Sequence, residues 1–336
     1  MILFVMANSR SMTTTNLDVP ASPTWRSRAA SAAARRTIRQ FNSSLPSNRL
    51  GVAIGRGAVA AFMSALGPPL PGTTVVPVRD PKVRGEWVLA PGVRHADRAI
   101  YYIHGSAYVI CSPRTHRGLA SRLSRKTGLP VFLIDYRLAP EHVFPAAADD
   151  VESGYRWLLS RGLTADQIVV AGDSAGGHLA LDLLIDNART GTPQPAGVAL
   201  FSPLVDLTFE LAAAEERHRP DPLITARAAR RTVALYTAGQ PDDHHRLKLA
   251  FPPRIALPPI LVQAGGDEML AADARYLQKV VSASGNSCEL EIWPGQFHVF
   301  QALPRLIPEA EPALDRAASF VGETLAGAST PEEKVS

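Results

Sequence analysis

The sequence predicts an α/β fold, a mostly parallel central sheet with helices on both faces, and three observations predict it. Short apolar or β-rich runs recur at residues 99–103, 131–134, 168–171, 198–201, 260–263 and 288–293. Segments of helix length lie between most of them, which is the alternation of crossover-connected parallel strands. Several of the runs are apolar throughout rather than alternating, as strands covered on both faces are. Two earlier runs, 73–78 and 86–89, are joined by a turn at Asp80-Pro81 and suggest antiparallel strands at one edge.

With 336 residues, 46% hydrophobic and 20% charged, the chain has enough apolar content for one large core and room for an added subdomain. Its formal charge of +4 comes from 35 Lys and Arg against 31 Asp and Glu. The basic residues read as scattered, with no aromatic-interleaved stripe, so no nucleic-acid partner is expected. Two cysteines, Cys111 and Cys288, are too few for a disulfide framework or a tetrahedral metal site and suit reduced thiols in a cytoplasmic protein. The apolar opening of residues 1–6 lacks a basic n-region and is shorter than the ~7 residues of a signal-peptide core. Later, the stretch 52–70 is interrupted by Arg56 and closed by Pro68-Pro69, short of the ~18 apolar residues that span a bilayer. No integral membrane association is expected, and any contact with a membrane is peripheral.

Taken in order, residues 7–22 are polar and aperiodic and read as an arm. Residues 23–40 and 50–66 suit two helices that precede any strand, and such helices are candidates for a lid. Inside the second, 55–60 fits G-x-G-x-x-A with Asp80 downstream, a dinucleotide-binding pattern. Against that reading, the strand before it is very short and the one after contains Pro77. Between the strands at 198–201 and 260–263, residues 205–254 are far longer than a crossover needs, and their most regular helix is expected at 227–238. The chain thus divides into an N-terminal arm and cap helices (1–70), a first core part (71–204), a cap insertion (205–254) and a second core part (255–336). Within the insertion, Asp242-Asp243-His244-His245 follows Gly239-Gln240-Pro241 and reads as a solvated loop rather than a metal site.

Chemistry centres on Gly172-Asp173-Ser174-Ala175-Gly176-Gly177, which places a serine between glycines where a strand ends and a helix begins. Such a turn is a nucleophile elbow, its hydroxyl held at the positive end of a helix dipole. A serine hydroxyl needs a base, and the base needs an orienting group. Asp267, with Glu268 beside it, follows the strand at 260–263, and His298 follows the strand at 288–293. Parallel strands end on one side of a sheet, so Ser174, Asp267 and His298 are expected at one crevice. His104-Gly105-Ser106-Ala107-Tyr108 follows the strand at 99–103, where backbone N–H groups can meet a developing oxyanion, and the Ala175 N–H adds a donor. His104 itself reads as a scaffold residue.

These motifs together with Asp135-Tyr136-Arg137-Leu138-Ala139-Pro140-Glu141-His142 resemble the bacterial hormone-sensitive-lipase-like branch of α/β-hydrolase esterases, from about Val88 to the last helix. The N-terminal helices resemble that family's cap in placement only. The resemblance implies an α/β-hydrolase fold with a helical cap and hydrolysis of short- to medium-chain carboxylic esters, with no metal or organic cofactor. It implies Ser174 as nucleophile, His298 as base and then acid, Asp267 as its orienting partner, and an oxyanion hole from Gly105, Ser106, Ala107 and Ala175, in which Gly105 shapes the turn. The family has three glycines after this histidine, whereas here Ser106 and Ala107 replace two and restrict φ. Asp173, Arg137 and Glu141 are expected to hold loops. A lactonase or amidase would use the same triad, and a non-catalytic ligand receptor would share the fold. The expected partner is a small ester, with pairing into a homodimer through an edge strand also open.

Overall fold

The structure, a computed structural model, describes residues 19–46 and 48–328. The apolar opening and nearly all of the expected polar arm lie outside the described residues. Three helices come first, α1 (Trp25–Arg36), α2 (Ile38–Ser44) and α3 (Arg49–Leu66). Strands β1 (Thr74–Arg79), β2 (Arg84–Leu89) and β3 (Ala99–Ile103) then lead into α4 (Pro113–Thr127), β4 (Val131–Ile134), α5 (Ala146–Ser160), β5 (Ile168–Asp173), α6 (Ala175–Thr190) and β6 (Gly197–Phe201). After α7 (Glu210–His218) and α8 (Ala226–Thr237) the chain returns to the sheet with β7 (Ile260–Gly265), α9 (Ala271–Ala283), β8 (Cys288–Trp293) and α10 (Ala310–Ala328).

The sheet runs β1-β2-β4-β3-β5-β6-β7-β8. β1 and β2 pair antiparallel, as do β2 and β4, while the other neighbours are parallel, so the opening strands form the antiparallel edge that the sequence suggested. Side chains alternate across a strand, yet both sides of this sheet are covered. On β3, Ile100 and Tyr102 pack with Leu119 and Leu123 of α4 and Phe320 of α10. Tyr101 and Ile103 point the other way, into the cluster of Tyr155 on α5, Leu184 on α6 and Leu277 on α9. All four β3 residues are fully buried, which is why the strand reads as one apolar run.

The helical parts depart from expectation in two places. The segment 23–40 is two helices, because the Thr37 hydroxyl bonds back to the Ala33 carbonyl at 2.9 Å and the backbone turns aside at φ −118°. The G-x-G-x-x-A pattern lies wholly inside α3, which removes the strand-to-helix turn that a pyrophosphate site requires and with it the dinucleotide reading. α3 is also long and apolar enough to cross a membrane by length and composition, unlike the estimate from the sequence. Its Val52 and Gly55 side packs inward. Arg56 pins it to the protein by a bidentate pair with Glu141 at 2.8 and 2.9 Å and by bonds to the Val109 and Ala139 carbonyls.

The inserted segment between β6 and β7 meets the N-terminal helices. Arg39 of α2 pairs with Glu216 of α7 at 2.7 Å, Asn42 donates to the Leu223 carbonyl at 2.9 Å, and Arg231 of α8 donates to the Ser43 carbonyl at 3.3 Å. A second clamp ties the insertion to the core below it. Arg246 reaches Asp182 on α6 at 2.9 Å and Asp149 on α5 at 2.8 Å. Asp182 is buried, and burial pushes its carboxyl up to about 6 even with the guanidinium opposing the shift. Replacing Arg246 with Ala strands that carboxylate and is expected to cost about 3 kcal/mol or more, read as a lowered urea midpoint at unchanged slope. Arg246→Lys, which keeps the charge but not the fork, should fall between.

Candidate functional site

The elbow forms where β5 ends at Asp173 and α6 begins at Ala175. Ser174 between them has φ 52° and ψ −123°, a conformation that costs an L-residue roughly 1–3 kcal/mol and persists only when its surroundings impose it. They do so through close packing. A Cβ on Gly172 would sit 2.8 Å from the Gly176 carbonyl oxygen, and one on Gly176 would fall on the carbonyls of Ile103 and His104. The Ser174 N–H donates to the Phe201 carbonyl at 3.0 Å, and its own carbonyl accepts from Leu204 at 3.0 Å. The serine is thus fixed to the end of the neighbouring strand.

His298 lies in the loop after β8, and its Nδ1 meets Glu268 Oε2 at 2.5 Å. The expected partner, Asp267, is not the carboxylate beside it. In the turn after β7 the Gly266 N–H donates to the Trp293 carbonyl at 2.7 Å and the Asp267 N–H to the Gln296 carbonyl at 2.8 Å. With the backbone held there, Glu268 is fully buried while Asp267 stays half-exposed. Glu268 Oε1 accepts from Ser202 Oγ at 2.7 Å and from the Gly265 N–H at 2.6 Å, and Ser202 Oγ accepts in turn from the Val299 N–H at 3.0 Å. The carboxylate is therefore fixed from the loops after β6, β7 and β8 at once. Burial opposes a charge on His298, but the Glu268 carboxylate, with Asp221 and Asp173 further off, holds the imidazole above its ordinary 6.5.

Across the crevice, Ser106, Ala107 and Tyr108 have φ of 83°, 56° and 64°, three left-handed residues in a row with no glycine among them. Several bonds impose this turn. The Ser106 carbonyl accepts from Val109 at 3.0 Å and Ile110 at 3.2 Å, the Tyr108 carbonyl from Ala139 at 3.0 Å, and the Tyr108 ring stacks on Tyr236 at 4.1 Å. Among the described residues no hydrogen bond within the chain uses the Ser106 or Ala107 N–H. Gly105 differs, since its N–H donates to Asp173 Oδ1 at 3.1 Å and a Cβ there would strike the same carboxylate. It shapes the turn and has no N–H to give an oxyanion. Ala175, at the first position of α6, has no preceding helical turn to take its N–H.

Behind the elbow, buried Asp173 also accepts from the Tyr102 hydroxyl at 2.8 Å and faces His116 Nε2 at 3.2 Å. Burial works against its ionisation, but His116 and the Tyr102 hydrogen bond outweigh it and keep the carboxyl below its usual value. His104 is driven down to about 3 by burial and by His116, so it is neutral and stacks on Tyr136 at 4.2 Å. Arg137 forks onto Asp150 and Glu141 pairs with Arg56, which ties the loop after β4 to α5 and to α3. Asp221 and Ser202 were not singled out in the sequence. Asp221, fully buried after α7, accepts from the Leu223 N–H at 2.7 Å and the Met269 N–H at 2.9 Å, and so braces the residue next to Glu268.

Two largely apolar cavities meet at Ser174 and His298. One of about 210 Å³ is lined by Val52, Ala107, Phe209 and Val233, and the other of about 390 Å³ by Phe41, Phe62, Cys111 and Leu303. A wider cleft of about 590 Å³ beside α8 touches neither Ser174 nor His298. Asp242 and Asp243 line that cleft, while the rings of His244 and His245 stack on each other at 4.7 Å.

Comparison with known proteins agrees with this architecture. Residues 100–302 match a family model described as the alpha/beta hydrolase fold. Carboxylesterase/phospholipase LipF of Mycobacterium tuberculosis is 35% identical over 273 residues, covering 77% of this chain and 71% of its own. Esterase LipU of the same organism is 36% identical over 267 residues, 76% of this chain and 89% of its own. The crystal structure of an esterase from the bacterial hormone-sensitive lipase family superposes with a TM-score of 0.81 at 31% identity, covering 90% of this chain and 99% of that one. The chain belongs to the α/β-hydrolase family, within its hormone-sensitive-lipase-like branch.

Proposed function

We propose that the chain is a serine carboxylesterase that hydrolyses short- to medium-chain esters through an acyl-enzyme on Ser174. The observation that carries this reading is that Ser174 and His298 line the same two cavities while Glu268 holds the far nitrogen of His298 at 2.5 Å. With Nδ1 occupied as a donor to the carboxylate, Nε2 is the nitrogen free to take a proton from Ser174 Oγ. The oxygen attacks the ester carbonyl, and the Ser106, Ala107 and Ala175 N–H groups stabilise the resulting oxyanion. His298 then protonates the leaving alcohol, and the same imidazole activates water to release the acid. An ester has two halves, and two apolar cavities flank the serine to receive them. Helices α1–α3 with the inserted α7 and α8 form one cap over that site, joined by the Arg39–Glu216 and Asn42–Leu223 contacts. LipF and LipU, named as esterases, support the same reaction class.

Ser174→Ala should lower turnover of p-nitrophenyl butyrate by roughly a thousandfold or more while the circular dichroism spectrum stays that of the native protein. Unchanged turnover would end the assignment. The two neighbouring carboxylates give a sharper test. Glu268→Gln should reduce kcat by roughly a hundredfold or more, because the imidazole loses its tautomer and its countercharge, whereas Asp267→Asn should change it by less than about threefold. The opposite ranking would return the role to Asp267.

The pH profile follows from the charge on His298. Only the neutral imidazole can accept the serine proton, so kcat/KM should fall as pH drops through a midpoint above 6.5. In Glu268→Gln that midpoint should move down. The sign for stability is the reverse, since a raised imidazole pKa favours the folded state below 6.5 and the gain disappears as pH rises through the folded value. An acid limb that ignores the Glu268 substitution would refute the pairing as the cause.

A further inference from the structure

The solvent side of α3 is built unlike an ordinary surface helix. Residues three and four apart share a face, and the exposed one here carries Leu50, Ala53, Ile54, Gly57, Ala61 and Ala65, with Ser64 as its one polar member. No charged residue lies among them. Leu50 is 67% exposed and Ile54 46%, while the opposite face, with Val52 and Gly55, is the one packed on the protein. A helix that is apolar toward solvent as well as toward its core is expected to meet a second apolar medium.

The charge around that face indicates which medium. Residues 19–67 contain seven arginines and no Asp or Glu, a local charge of +7 in a chain whose total is +4, so the basic residues are less evenly scattered than their overall count implied. Arg39 and Arg56 are committed to Glu216 and Glu141. Arg35 and Arg36 at the end of α1 and Arg49 at the start of α3 are exposed and form no ion pair among the described residues. Joining two copies through this face would set two such cationic segments against each other. An anionic lipid surface neutralises them instead and accepts the apolar face at the boundary of headgroups and acyl chains.

We propose that the N-terminal helices dock the protein on anionic lipid surfaces, with α3 lying in the plane of the interface rather than across it. Its outer apolar face enters the acyl boundary and the flanking arginines hold the phosphate groups. Docking there would place the cap, which walls the cavity leading to Ser174, at the source of lipid esters. Phe41 links surface and site, being 42% exposed while lining the larger cavity.

The test is co-sedimentation of the full chain with vesicles of phosphatidylcholine alone and of phosphatidylcholine mixed with phosphatidylglycerol. Binding is expected only to the mixed vesicles, declining as salt rises. Removing Arg35 and Arg36 together, each by substitution to Ala, should weaken partitioning by about fivefold per arginine. Leu50→Glu with Ile54→Glu should weaken it more than tenfold, yet leave hydrolysis of soluble p-nitrophenyl acetate unchanged, because neither residue lines the cavities at Ser174. Ser174→Ala should bind like the native chain, which separates docking from hydrolysis. The proposal is overturned if the native chain binds neither vesicle or both equally. It is also overturned if the Leu50 and Ile54 variant binds as well as native, or if sedimentation shows that these substitutions dissociate a dimer that does not bind vesicles.

Discussion

The backbone of Ser174 is the constraint on which the site depends. At φ 52° and ψ −123° a residue with a side chain does not rest of its own accord. The conformation is imposed by crowding, with the carbonyls of Ile103 and His104 lying against Gly176 and the carbonyl of Gly176 against Gly172. Because β3 and β5 are parallel neighbours, the same close approach places the turn after β3 opposite the serine. One crossing of two loops thus sets Ser174, the first turn of α6 and the Ser106-Ala107 amides relative to one another. The cost is spread over the fully buried central strands β3 to β7, which have no easy alternative register.

Charge is kept in order by a division of labour between two buried carboxylates. Asp173 spends its oxygens on Tyr102, Gly105 and His116. Glu268 divides its oxygens between His298 and the Ser202 and Gly265 donors. Neither is left unpaired, which is what makes buried negative charge tolerable. Neutral His104 beside them adds no further charge to the oxyanion side.

Much of this architecture was legible because it rests on repetition. Strands covered on both faces, β3 to β7, leave apolar runs of four to six residues, and all eight strands, the more exposed β1, β2 and β8 included, appear at their expected places to within a few residues. The elbow was legible because only glycine permits the approaches around it. The choice between Asp267 and Glu268 was not, since neighbouring residues in a tight turn point in different directions and the turn is fixed by carbonyls of Trp293 and Gln296 some thirty residues on. The same limit hid Asp221 and Ser202, whose importance comes from what folds against them rather than from any local pattern. The break at Thr37 rests on one hydroxyl bonding its own helix, too small a signal against a run of alanines and arginines.

The thiol of Cys111 has a consequence for chemical selectivity. It lines the larger cavity with Ser174 and lies 2.8 Å from Ser106 Oγ, so an electrophile held in that cavity meets sulfur as well as oxygen. A free thiolate would be the stronger nucleophile and could capture an acyl group before the serine did. Burial pushes this thiol up to about 11, which keeps it protonated at neutral pH and therefore a poor competitor. The apolar wall of that cavity thus also silences the side chain most able to divert an acyl group from Ser174. On the proposed mechanism, activation by a paired base, rather than intrinsic reactivity, decides which atom is acylated.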